Sequence, residues 1–170
     1  MNRKITRKEI EATMSRVRSQ LPDVAWRTTF IVGFPTETDQ DFEELVDFVS
    51  EGHFQHLGIF LYSDEDNIRS SKFGDPIPLS LKEERKNRLM EIQQKISREH
   101  HQKMVGSLQQ VLVGGFSSET DLLLEGRNQY QGPEVDGVVY INEGNATSAG
   151  FHQVEITEAH EYDLVGKILN

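Results

Sequence analysis

Six histidines, one strand-turn segment carrying a carboxylate, and a complete absence of cysteine define what chemistry this 170-residue chain could do. Without cysteine there are no disulfides, no thiolate nucleophile, no zinc–thiolate site and no cysteine-held iron–sulfur cluster built from these residues alone. His53, His56, His100, His101, His152 and His160 show neither His-x-x-x-His nor His-Glu-x-x-His spacing. Adjacent residues such as His100 and His101 diverge by about 100° on a helix and cannot face one metal together. Surface or packing roles are expected for all six. Neither a Gly-x-Ser-x-Gly elbow nor a Gly-Lys-Ser/Thr phosphate loop occurs. The strongest local signal is Thr28-Thr29-Phe30-Ile31-Val32, running into Gly33-Phe34-Pro35 with Glu37 just beyond. Ligands of α/β folds bind at the carboxyl ends of parallel strands. There Gly33 would admit a ligand to the backbone, and Glu37 could accept from an amine or hydroxyl. The same residues also suit a plain turn, with Glu37 at the positive end of a helix; both readings stand at this level.

The surrounding elements follow from capping and periodicity. Thr6 to Glu9 has capping-box spacing and opens a helix to about Gln20, stopped by Leu21-Pro22-Asp23. The apolar run Thr28–Val32 reads as a strand buried on both faces. Thr38 caps a helix whose Phe42, Leu45, Val46 and Val49 share a stripe, and Gly52 ends it. Leu57–Tyr62 is a second apolar strand, completing one right-handed βαβ unit, which cannot close a sheet by itself. A long polar connection, Ser63–Pro78, is of the kind that is usually functional or mobile. Ser80-Leu81-Lys82-Glu83 is another capping box, opening a helix to Met104 with a thin apolar stripe of Leu89, Ile92 and Ile96.

Beyond Val105-Gly106 the pattern changes. Runs at Leu108–Val113, Leu122–Glu125, Val135–Ile141, Phe151–Thr157 and Asp163–Ile168 alternate like strands, separated by Gly-rich turns. Five short strands suit a small closed barrel of OB type. The fold class expected is therefore an α/β partial (βα) barrel remnant over residues 1–104, followed by a small all-β, five-stranded OB-like barrel over residues 105–170. Charge divides at the same place. Residues 1–104 carry 16 basic and 18 acidic side chains, whereas residues 105–170 carry only Arg127 and Lys167 against ten acids. Phosphate neutralisation needs Lys and Arg, so RNA is not the expected partner of the second part. No apolar run approaches the roughly 18–20 residues that span a bilayer, and MNRKITRKEI has no apolar stretch behind it. A cytoplasmic protein without membrane partners is the default expectation.

Read together, FIVGFPTETDQDFEELVDFV, LGIFLYSDEDN and LKEERKNRLMEIQQKISREH resemble the carboxyl-terminal part of the radical S-adenosylmethionine methylthiotransferases. The resemblance continues from about Val105 through a β-domain of TRAM type. YSDEDN, GPEVDGVVYI and EYDLVG look like the branch that modifies a ribosomal-protein aspartate (RimO type) rather than the branch acting on a transfer-RNA adenosine (MiaB type). The resemblance implies an enzyme that adds a methylthio group to the β-carbon of an aspartate in a basic small-subunit ribosomal protein. It implies S-adenosylmethionine and two 4Fe-4S clusters as cofactors. Because this chain has no cysteine, the clusters are expected on a missing amino-terminal part, and the chain alone is expected to hold neither cluster and to be inactive.

By resemblance, Ile31, Gly33, Glu37 and Tyr62 fall where the family contacts the adenosyl part of S-adenosylmethionine. For the protein substrate, charge points to Glu134, Asp136, Glu158, Glu161 and Asp163, with Tyr130 as an aromatic anchor. A bland alternative makes these acids a solvated surface and Tyr130 core. Alternative functions are a stand-alone TRAM-type binding module for a ribosomal protein or RNA, or a fragment of MiaB type.

Overall fold

The computed structural model describes residues 4–65, 70–146 and 149–169. Two compact units emerge, Met1–Met90 and Glu91–Asn170. The first holds α1 (Arg7–Gln20), β1 (Arg27–Val32), α2 (Asp39–Ser50), β2 (His56–Leu61), a 3₁₀ turn (Ser71–Phe73) and the start of α3 (Leu79–Gln102). The second holds the end of α3 and β3 (Leu108–Phe116), β4 (Leu124–Arg127), β5 (Val139–Glu143), β6 (Gly150–Ala159) and β7 (Leu164–Ile168).

In the first unit β1 and β2 pair in parallel, Arg27 opposite His56 through Val32 opposite Leu61, with α2 between them in sequence. The expected Thr6–Glu9 capping box forms at α1, and Thr38, expected as the cap of α2, forms a full box with Asp41. Phe42, Val46, Phe48 and Val49 are the buried residues of α2. Phe48, outside the expected stripe, packs with Met14 of α1 and Phe54 ahead of β2. Leu45, inside the stripe, is only half-buried.

Three expectations are corrected here. Burial of β1 on both faces does not occur: Ile31 is 39% exposed, and its register partner Phe60 is 64% exposed. An apolar strand sequence permits two covered faces, but a face is buried only where another element lies on it. At the start of α3, Ser80 lies inside the helix rather than capping it. The Pro78 carbonyl accepts from the amides of Leu81 at 3.1 Å and Lys82 at 3.2 Å, so the helix begins at Leu79, two residues earlier than a Ser80 cap would place it. The buried line along α3 is Lys82, Arg85, Leu89, Gln93, Ser97 and His101, while Ile92 and Ile96 are half-buried. Polar side chains occupy that face because they find partners, as His101 does in the His160 carbonyl at 3.0 Å. Within the connection Ser63–Pro78, the 3₁₀ turn Ser71–Phe73 interrupts what reads as loop, whereas Asp66 and Asn67 lie outside the described residues.

The second unit is a closed barrel of order β3-β4-β5-β7-β6, with β6 returning to pair with β3. Only β5 and β7 pair in parallel. Alternate residues point inward and form one core: Val111, Val113, Val139, Ile141, Val154, Ile156, Leu164 and Ile168. Two strands begin later than expected. Leu122 and Val135 are 88% and 64% exposed, in turns ahead of β4 and β5. Just ahead of β5, Gly137 packs against the Tyr162 carbonyl so closely that a Cβ there would collide with it. Among the described residues no helix is long and apolar enough to cross a membrane.

Candidate functional site

The carboxyl ends of β1 and β2 form a tightly bonded cluster. Gly33, at φ 78°, turns the chain out of β1. Its amide donates to both carboxylate oxygens of Glu37, at 3.1 and 3.0 Å. Arg85 of α3 reaches the same carboxylate at 2.6 Å, with side-chain exposures of only 4% and 11% for the pair. The second guanidinium nitrogen meets exposed Asp39 at 2.5 Å, and the guanidinium lies 5.2 Å from the Phe42 ring centre. Glu37 thus fastens the turn, and its remaining lone-pair capacity is on Oε2.

Lys82, one helical turn before Arg85, holds the other strand end. Its buried ammonium donates to the Tyr62 carbonyl at 2.8 Å and to Asp75 at 2.6 Å. Its aliphatic stem fills the space where a Cβ of Gly33 would stand. Tyr62 continues the pairing of β2, its amide donating to the Val32 carbonyl at 2.9 Å. The Tyr62 ring meets Phe34 edge-on at 5.4 Å. Its buried hydroxyl has no hydrogen-bond partner among the described residues. Gly33, Glu37 and Tyr62 are therefore gathered at one end of the strands, whereas Ile31 faces out from the open sheet surface beside Phe60. Lys82 and Arg85 were not singled out from sequence. Their spacing of three on a helix, which puts both on one face, was the available signal.

The acidic residues of the barrel divide between structural and exposed positions. A cleft of about 630 Å³ is lined by Glu134 and Asp136 together with Leu112, Glu125, Arg127 and several glycines. Glu134 holds a left-handed φ of 62°. Asp136 accepts from the Gly132 amide at 2.7 Å. Asp163 accepts from the Val138 amide at 2.8 Å, pinning the segment ahead of β5. Glu158 lies near the end of β6 at 4.0 Å from the His160 ring, and Glu161 lies in the following β6–β7 turn at 3.3 Å from Arg98. Tyr130 is half-buried, with its amide on Asn128 Oδ1 at 3.0 Å. Only Glu134 and Asp136 of the sequence-derived set share the cleft. Beside it, burial pushes the Tyr140 phenol up, with the charges of Glu119, Asp163 and Glu125 adding to the effect.

Among the described residues no group of three or more His, Cys, Asp or Glu side chains could hold a metal, and the sequence has no thiolate. The donor set of this chain does not fit a cysteine-held cluster.

Residues 105–169 match the TRAM domain family. Over its full length the chain aligns with proteins named ribosomal protein uS12 methylthiotransferase RimO. The Bdellovibrio bacteriovorus protein is 50% identical over 169 residues, 99% of this chain and 37% of that protein. Those of Desulfotalea psychrophila and Syntrophotalea carbinolica are 45% and 43% identical over all of this chain, and it covers 38% and 37% of them. Along its whole length the chain is similar to proteins named RimO methylthiotransferases. It spans well under half the length of these RimO relatives. The residues that match the TRAM domain family form the closed five-stranded barrel described above.

Proposed function

We propose that this chain serves in a RimO-type methylthiotransferase as one part of a larger catalytic assembly. In this reading residues 1–104 supply strands to a radical S-adenosylmethionine (βα) barrel, and the TRAM domain from residue 105 recognises the basic protein substrate, uS12. The observation that carries it is identity of 43–50% to RimO relatives over 99–100% of the chain, and so through both units. The 4Fe-4S clusters and their cysteines are supplied from outside these 170 residues, and the reaction adds a methylthio group to an aspartate β-carbon.

The strand-end cluster supports a role at the adenosyl group of S-adenosylmethionine. Glu37 and Arg85 hold the Gly33 turn rigid, the buried Tyr62 hydroxyl leaves one polar atom for a ligand, and Ile31 offers an apolar contact. Rigid elements fix a ligand more precisely than loops do. The open Ile31–Phe60 face suits burial against further strands.

A second reading, a TRAM module that binds by itself, is favoured by the barrel's own complete core. In-frame Cys-x-x-x-Cys-x-x-Cys coding immediately upstream would decide for the enzyme. Recognition is tested by titrating the chain with uS12 and with transfer RNA at about 50 and about 200 mM salt, a range over which phosphate-driven binding collapses. Salt-sensitive binding to uS12 and none to transfer RNA is expected. Tighter binding to transfer RNA would overturn the protein-substrate reading.

A further inference from the structure

We propose that the cleft beside β3 and β4, rather than the acidic β6–β7 turn, is where the TRAM domain seats a lysine or arginine side chain of an extended protein segment. The inference rests on the reading that this domain recognises a basic protein, and it gives that reading a location and a chemistry.

The argument starts from the barrel's register. Leu112 of β3 stands opposite Phe151 of β6 on one side and Arg127 of β4 on the other. Its neighbours Val111 and Val113 are the inward, fully buried residues. Because directly opposed residues share a face, Phe151, Leu112 and Arg127 form a row on the outside of the barrel. Phe151 is 68% exposed. It follows Gly150, which lines the cleft, as do Leu112 and Arg127. The row is thus an apolar and aromatic approach to the cleft, with an arginine at its far end.

Inside, the charged lining is Glu125, Glu134 and Asp136 against Arg127. Three carboxylates to one guanidinium repel phosphate and attract a cation, and the surrounding residues 105–170 extend that field with ten acids and two bases. Glycines 114, 126, 132 and 137 line the same cleft, so backbone rather than side chains forms much of its wall. A cationic side chain entering past Phe151 gains both ring-face attraction and carboxylate partners. The closed ladder leaves no strand edge to which a peptide could add, so a partner must be read through its side chains. The β6–β7 acids lack this setting. Glu161 is already paired with Arg98.

The test uses the intact chain and a fluorescein-labelled peptide of about a dozen residues alternating Lys or Arg with Ala, the alternation placing every second side chain on one face. Phe151→Ser and Glu125→Gln are each expected to weaken peptide and uS12 binding about tenfold and to reduce the salt dependence for Glu125→Gln. The double change Glu158→Gln with Glu161→Gln is expected to stay within about twofold. In the unsubstituted chain the amide resonances of Gly114, Gly126, Gly132 and Gly137 should shift on peptide addition, a readout independent of variant folding. If uS12 binds normally to both cleft variants but poorly to the turn variant, the cleft assignment falls while the protein-substrate reading stands. Binding of neither peptide nor uS12 would remove both. Displacement of the peptide by oligouridine, or self-association abolished by Phe151→Ser, would assign the cleft to RNA or to a second copy and overturn the proposal.

Discussion

At the scale of single residues, the ion pair of Glu37 and Arg85 matters more than its surface counterparts, because both side chains are nearly inaccessible. Removing one member of a buried pair leaves an uncompensated charge and costs about 3–5 kcal/mol. Arg85→Ala is therefore expected to destabilise the chain by about 3 kcal/mol in urea unfolding. Adding Glu37→Gln to Arg85→Ala should cost clearly less than the sum of the single changes, since the two share one interaction. By contrast, Arg88 with Glu43, both about half exposed, should contribute no more than about 1 kcal/mol. Glu134 offers the opposite sign. Its left-handed φ of 62° costs a non-glycine residue roughly 1–2 kcal/mol. Glu134→Gly is expected to raise the melting temperature by a few degrees while weakening capture of the basic peptide, a trade of stability against function.

At the scale of elements, each helix start is a local decision with a measurable pH signature. Thr38 and Asp41 exchange bonds at α2: the Asp41 carboxylate accepts from the Thr38 amide at 2.9 Å and from its hydroxyl at 2.7 Å. These bonds, the backbone one foremost, hold the Asp41 carboxyl below its ordinary value. A lowered folded value means that the stabilisation is fully present above the ordinary aspartate value of about 3.9 and is lost as pH falls through the folded value. Asp41→Asn should therefore lower the melting temperature at neutral pH, and the difference from the unsubstituted chain should shrink as the pH falls below the ordinary aspartate value and through the lowered folded one. Thr38→Ala, which removes the cap itself, should cost about 1 kcal/mol. The two-stranded sheet makes a second element-scale expectation. Ile31 and Phe60 lie side by side and exposed, so replacing both with Thr should reduce self-association in sedimentation without loss of secondary structure.

At the scale of the whole chain, the two units differ in how completely each satisfies itself. The barrel has every strand paired on both sides and a single apolar core. The first unit has two strands and an open apolar face. Local stability follows buried contacts and paired backbone. Hydrogen exchange is expected to be slowest at Val111, Val113, Val139, Ile141, Val154 and Ile156, and faster by orders of magnitude at Thr29 and Gly58. Uniform protection of both units would contradict this.

Sequence alone determined the elements that depend on near neighbours. The Thr6–Glu9 box and the Thr38 cap form where sequence put them, because a cap is local chemistry within four residues of chain, whereas the Ser80 spacing gives none because the helix already starts at Leu79. Five alternating runs beyond Val105 became five barrel strands, because a period of two sorts side chains onto two faces before any partner is chosen. The resemblance to RimO-type proteins was legible from motifs spread along the chain, and the similar proteins carry that name. Tertiary structure decided what depends on contacts between distant residues. Glu37 was legible as a carboxylate near a turn, but only the arrival of Arg85, 48 positions later, shows that it holds the turn. Lys82 reads as one more surface charge on a polar helix until it is found buried beneath Gly33 and bonded to Tyr62. Phe151, Leu112 and Arg127 are scattered in sequence and become a row only through strand register. Glu158 and Glu161, equal to Glu134 and Asp136 by charge, part from them because the barrel's closure sets one pair in a cleft and the other at the end of β6 and the turn beyond it. Charge is a property of the residue, whereas a binding site is a property of the distances that folding imposes on it.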